Sequence, residues 1–146
     1  MSPEETMDTE AQVKALNEAL RLQHRSVLIH SVTAGSVVGL EYQAHAEKLS
    51  KHALSELEDD GRLVEKITAL GGEPTVETAP FTFERDPAKA LDRLIEAEGE
   101  ALEALQAAIE PTGREAASEA VEHRLEHMIM RKQEQVDYLL RARRRP

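Results

Sequence analysis

Carboxylates, imidazoles and one lysine recur at positions where this chain otherwise places apolar side chains. Stepped at about 100° per residue, residues 13–27 give a stripe of Val13, Leu16, Leu20 and Val27, with His24 inside it and Gln23 on its edge. Leu49, Ala53, Leu57, Leu63, Val64 and Ile67 form a second stripe that contains Glu56 and Asp60, with Asp59 at its margin. A third, of Leu91, Leu94, Ile95, Leu102, Leu105 and Ile109, brackets Glu98. In the fourth, Val121, Leu125, Met128, Ile129, Val136 and Leu139 bracket Lys132, with Gln135 beside it. A buried carboxylate is costly unless it is paired, protonated or metal-bound. Two or three carboxylates brought together therefore require a cation, and that cation is either a metal ion or Lys132.

A second arrangement of potential ligands is the run EHRLEH, in which His123 and His127 stand four residues apart with Glu122 and Glu126 beside them. Two His at that spacing share a helix face and can share a metal. Both lie away from the Val121, Leu125 and Met128 stripe, so a solvated face or an interface is the simpler reading.

These stripes belong to a chain of 146 residues and 16.2 kDa, the size of one domain. Its 28 acidic and 18 basic residues leave a formal charge of −10, which argues against a nucleic-acid partner. Aromatic residues make up only 3 % and turn signals are few, which disfavours an all-β sandwich. No apolar run approaches the roughly 18 residues of a membrane span. The first residues are acidic where a signal peptide is basic and then apolar. Cys is absent, which removes disulfides and thiolate chemistry. A cytoplasmic, all-α domain over 1–146 is expected.

The helices are predicted at about 9–33, 39–70, 86–110 and 114–143. Capping-box patterns stand at Ser2-Pro3-Glu4-Glu5 and Thr9-Glu10-Ala11-Gln12. Thr33-Ala34-Gly35-Ser36 loosens the first helix, and Leu70-Gly71-Gly72 closes the second. Asp86-Pro87 opens the third, and Pro111-Thr112-Gly113 follows it. Short joins make each pair of helices an antiparallel hairpin. The segment 71–85 has no helical period and can span roughly 45–50 Å when extended. A 25-residue helix measures about 37 Å. Two hairpins joined by one long crossover are expected, a topology in which the midpoints of all four helices share a level; the alternative is an irregular three- or four-helix bundle in which 71–85 is only a loop.

LNEAL in the first helix, LVEKITALGGEP at the end of the second, IEAEGEALEALQAAI in the third and QVDYLLRA in the fourth resemble the ferritin-like superfamily, near the bacterioferritins and DNA-protecting miniferritins. The resemblance implies a four-helix bundle with a di-iron site made from a Glu on the first and third helices and Glu-x-x-His pairs on the second and fourth. Glu56 and Glu98 match that pattern. The first-helix Glu position falls on Gln23, the second-helix His on Asp59, and the fourth-helix pair on Lys132 and Gln135. The resemblance thus implies iron or manganese held by Glu56 and Glu98, completed by Asp59 or Asp60 and His24. Lys132 then either hydrogen-bonds a ligand or takes a metal's place. The alternative is a metal-free bundle acting as an oligomeric or partner-binding module. Haem at a dimer interface through Met128 or Met130 is the weakest reading, since packing and surface exposure account for both residues. Pairing through the first two helices, as a homodimer or larger homo-oligomer, is also implied by the resemblance. An apolar patch at Leu22, Ile29 and Val32 is the expected contact. The terminal RARRRP reads as a complement to the helix dipole rather than as a nucleic-acid tail.

Overall fold

The computed structural model describes residues 8–110 and 116–143. Four α-helices, α1 (Thr9–Ser36), α2 (Gln43–Ala69), α3 (Pro87–Ile109) and α4 (Ala116–Arg143), form a ferritin-like bundle. Helix α1 packs against both α2 and α3, α3 packs against α4, and α4 meets α2. The Ser2 cap, residues 111–115 and the last three residues lie outside the described residues.

Capping chemistry sets the ends. Asp8, rather than Thr9, caps α1 by accepting the Ala11 N–H at 3.1 Å. Helix α1 continues through the loosening signal at 33–36, because Thr33 is buried and its carbonyl still accepts the Val37 N–H. The turn comes at Gly39, whose φ of 107° suits only glycine. A 3₁₀ turn at Leu40–Tyr42 separates it from α2, so that helix starts four residues later than predicted. At the far end of α2, Gly71 takes φ 81° while the Gly72 and Gly71 N–H groups donate to the Ile67 and Thr68 carbonyls, a Schellman closure. Asp86 caps α3 by accepting from Ala88, with Pro87 as its first residue.

The crossover is pinned to α1. The Asn17 amide donates to the Glu73 carbonyl at 3.0 Å and accepts the Thr75 N–H at 2.8 Å. Further along, the Ala79 N–H donates to the Arg21 carbonyl, and Phe81 packs into the core. Arg93 of α3 then donates to the Thr82 hydroxyl at 2.9 Å.

The core falls into two apolar clusters. One contains Leu16, Leu20, Leu63, Ile67, Leu105, Leu125 and Met128. The other contains Ile29, Leu49, Leu91, Leu94 and Leu139. Leu22 and Ile29 are therefore core residues, not an outer patch; of that predicted patch only Val32 is exposed. Leu57, predicted to be inside, is 55 % exposed. Between the clusters lies a layer of buried polar side chains.

At Gly72 a Cβ would lie 2.6 Å from a Val13 methyl group and 3.1 Å from an Ile67 methyl group. Gly72→Ala should therefore cost about 1–3 kcal/mol through overpacking. Thermal unfolding of the variant checks this; an unchanged midpoint would mean that α1 gives way at Val13.

Candidate metal centre

On α4 a seam of buried residues, Ser118, Val121, Leu125, Met128, Lys132, Gln135 and Leu139, alternates three- and four-residue steps, with Val136 buried beside it. That rhythm keeps one seam of a helix facing its neighbours. It carries Lys132 to the bundle axis, where the residue is 2 % exposed. The corresponding steps on α2 and α3 bring in Glu56 and Glu98, which are 1 % and 0 % exposed.

The three charges meet there. Lys132 Nζ donates to Glu56 Oε2 at 2.7 Å and to Glu98 Oε2 at 2.8 Å, and reaches Ser26 Oγ at 3.4 Å. An ammonium has three protons and no acceptor, so these contacts use its full capacity. From α1, the Gln23 amide donates to the Glu56 carboxylate and, at 2.9 Å, to the Glu56 backbone carbonyl. All four helices thus contribute to one polar layer.

Two carboxylates share one cation unequally. Burial raises the Glu56 carboxyl, and the nearby Glu98 charge adds to this against the pull of Lys132, leaving it at about 7. Burial acts on Glu98 too, but Lys132, His30 and the Ser26 hydroxyl outweigh it and hold Glu98 at about 2. Burial would lower the Lys132 ammonium; its two carboxylate partners raise it instead. The Lys132–Glu98 contact thus favours the charged forms of both groups, while burial works against the Glu56 carboxylate.

The remaining predicted ligands have other partners. Asp59 is buried but is ion-paired with Arg131, and burial still raises its carboxyl above the usual range. His24 meets Asp60 Oδ2 through Nδ1 at 2.5 Å and the Thr75 carbonyl through Nε2 at 3.0 Å, so neither ring nitrogen is left free to ligate. The structure therefore brings Glu56 and Glu98 together and directs Asp59, Asp60 and His24 elsewhere. His30 was not predicted for this layer. It is fully buried, its Nδ1 lies 2.8 Å from the Ser26 carbonyl and 3.9 Å from Glu98 Oε1, and burial depresses its basicity. One ring nitrogen of His30 and one oxygen from each of Glu56 and Glu98 lie within 4.8 Å of one another, which makes this a possible three-ligand set.

A dinuclear metal centre does not fit these residues. Gln23 and Gln135 supply neutral amides where carboxylate and imidazole ligands would be needed, and Lys132 places a positive charge between the two remaining Glu residues. A single cation has a better case, because His30 Nε2, Glu56 Oε1 and Glu98 Oε1 are buried without hydrogen-bond partners. Elsewhere, His123 and His127 are exposed, and no other metal-ligating group occurs among the described residues. Met128 is packed into the core and Met130 is exposed.

Comparison with known proteins bears on the fold. The structure superposes on a ferritin-like diiron-carboxylate protein from Bacillus anthracis str. Ames with a TM-score of 0.86 and 23 % identity, over 99 % of this chain and 100 % of the other. A dodecameric thioferritin, the bacterioferritin-related protein of Bacteroides fragilis, gives 0.83 at 17 % identity, covering 94 % and 86 %. Rhodobacter capsulatus bacterioferritin, a structure with a metal-free dinuclear site and haem iron, gives 0.77 at 19 %, covering 92 % and 83 %. No curated protein matches in sequence. No described helix is long and apolar enough to cross a membrane. The family model for the ferritin-like domain matches residues 13–142, and the chain belongs to that family.

Proposed function

We propose that this protein is a ferritin-like assembly module in which Lys132 stands in for metal at the bundle centre, so that folding and self-association need no dinuclear site. The observation that carries this reading is the Lys132 ammonium at 2.7 and 2.8 Å from the two carboxylates that match the family's ligands. Iron oxidation or storage at a dinuclear centre would require displacing that ammonium from between Glu56 and Glu98.

Removing one partner of a buried ion pair costs about 3–5 kcal/mol, because the other charge is left stranded. Lys132→Met should therefore destabilise the protein by that amount in denaturant unfolding. Combining it with Glu56→Gln and Glu98→Gln should recover most of the loss. A Lys132→Met protein as stable as the parent would sink the proposal.

A second reading is favoured by the unpartnered acceptors of His30, Glu56 and Glu98: one iron or manganese ion bound beside Lys132. A carboxylate–imidazole donor set suits first-row divalent metals. Elemental analysis after anaerobic iron(II) loading and removal of loose metal separates the two. The lysine-centred reading expects only substoichiometric iron. A single retained ion per chain, lost in His30→Ala and in Glu98→Ala, would establish the second reading.

Self-association rests on a different surface. An apolar cleft of about 440 Å³ lies where α1, α2 and the crossover meet. Beside it Leu28, Leu57 and Val76 are 46 %, 55 % and 93 % exposed. Contiguous apolar exposure of this kind marks an interface, and the related Bacteroides fragilis protein is dodecameric. The proposed occupant is a second copy of the chain. Sedimentation velocity should find the wild type associated and Leu28→Arg/Leu57→Arg shifted to a smaller species with unchanged helicity. A monomeric wild type at tens of micromolar would contradict this.

A further inference from the structure

A second cleft, of about 300 Å³, opens between α2 and α4. In a chain with a formal charge of −10, its walls carry Lys48, Lys51, Arg131 and Arg141 against one acid, Glu134. Two of the four cations are engaged. Arg131 pairs with Asp59, and Lys51 approaches Glu47 at 3.7 Å in a pair exposed to water. Among the described residues, Lys48 and Arg141 pair with no carboxylate. Lys48 Nζ instead stands 5.7 Å from the centre of the Tyr138 ring.

Two further side chains lining the cleft point to a ligand. His52 is 8 % exposed, and its Nδ1 is buried with no hydrogen-bond partner. Gln135 is 7 % exposed, and its side-chain oxygen is likewise unpartnered. Buried polar atoms in folded proteins nearly always find partners. A Gln amide can also turn to offer its NH₂ group, since its two ends are alike in shape. The His52 imidazole, the Gln135 amide and the Ser55 hydroxyl line the same cleft as the ammonium and guanidinium groups, and each type of side chain can offer an N–H or O–H donor.

We propose that this cleft is a binding site for a phosphate-class oxyanion, either free phosphate or the terminal phosphate of a larger molecule. Four tetrahedrally arranged oxygens and up to two negative charges match a set of donors spread over two helices better than a planar monocarboxylate does. Arg and Lys at the rim provide charge-assisted hydrogen bonds. The inference is independent of whether Lys132 or a metal ion occupies the bundle centre.

The test is calorimetric titration of the full chain with inorganic phosphate at low, fixed ionic strength, with sodium acetate and sodium chloride as controls. Saturable phosphate binding is expected, accompanied by shifts of the His52 ring signals in NMR spectra. Lys48→Glu and Arg141→Glu change exposed side chains, and circular dichroism checks that each variant is folded. Each should weaken binding by at least about tenfold, the ratio carried by one charge-assisted hydrogen bond. Glycerol phosphate serves as a second ligand: binding equal to or tighter than that of phosphate supports a phosphate-bearing molecule, and binding of inorganic phosphate alone supports the free ion. Phosphate that behaves like acetate or chloride, or that binds both variants unweakened, would overturn the proposal.

Discussion

The architecture turns on one ammonium group held between two carboxylates in the middle of a four-helix bundle. Lys132, Glu56 and Glu98 come from three different helices, and each is surrounded by apolar clusters above and below. None of the three charges is tolerable there alone. Each is acceptable because the other two arrive at the same height. Helix register, hairpin geometry and the fixed ends of the helices can all be understood as conditions for that meeting. The fourth helix, Gln23 and Ser26 on α1, completes the layer without adding net charge.

Four helices reach this point by the same rhythm. Along each runs a seam of buried residues at alternating three and four steps: Leu16, Ala19, Gln23, Ser26 and His30 within the wider buried face of α1, and Leu49, His52, Glu56, Asp59 and Leu63 on α2. Leu91, Leu94, Glu98, Ala101 and Leu105 on α3 follow it, as do the α4 residues around Lys132. A 3.5-residue repeat implies gently supercoiled packing, and it admits polar residues wherever their partners share a level.

That rhythm explains what could be read directly from the residues. Helices α3 and α4 have seams dominated by Leu, Val and Met, so Glu98 and Lys132 stand out as interruptions. On α1 the seam itself is polar or small at Gln23, Ser26 and His30. Hydrophobicity finds Leu20 correctly but then points to His24 and Val27, one residue around the helix, which are only half-buried. Hydrophobic periodicity therefore passes over the buried His30 and, for a similar reason, points inward at the exposed Leu57. The alternating spacing from Leu16 onward was the signal that would have found His30. The Arg131–Asp59 pair joins residues 72 positions apart on different helices, a contact that no local pattern encodes.

The crossover adds a constraint of another kind. Its strand of backbone is laced to α1 at Asn17, Arg21 and His24, and it is anchored to α3 through Arg93. At its start, Gly72 sits against Val13 without room for a side chain. A helix that slipped by one turn would move about 5.4 Å, twice the length of the contacts that bind Lys132. The connecting segment therefore acts as an axial ruler: continuous with α2 and α3 and tied to α1, it holds Gln23 and Ser26 of α1 at the height of the charges they meet.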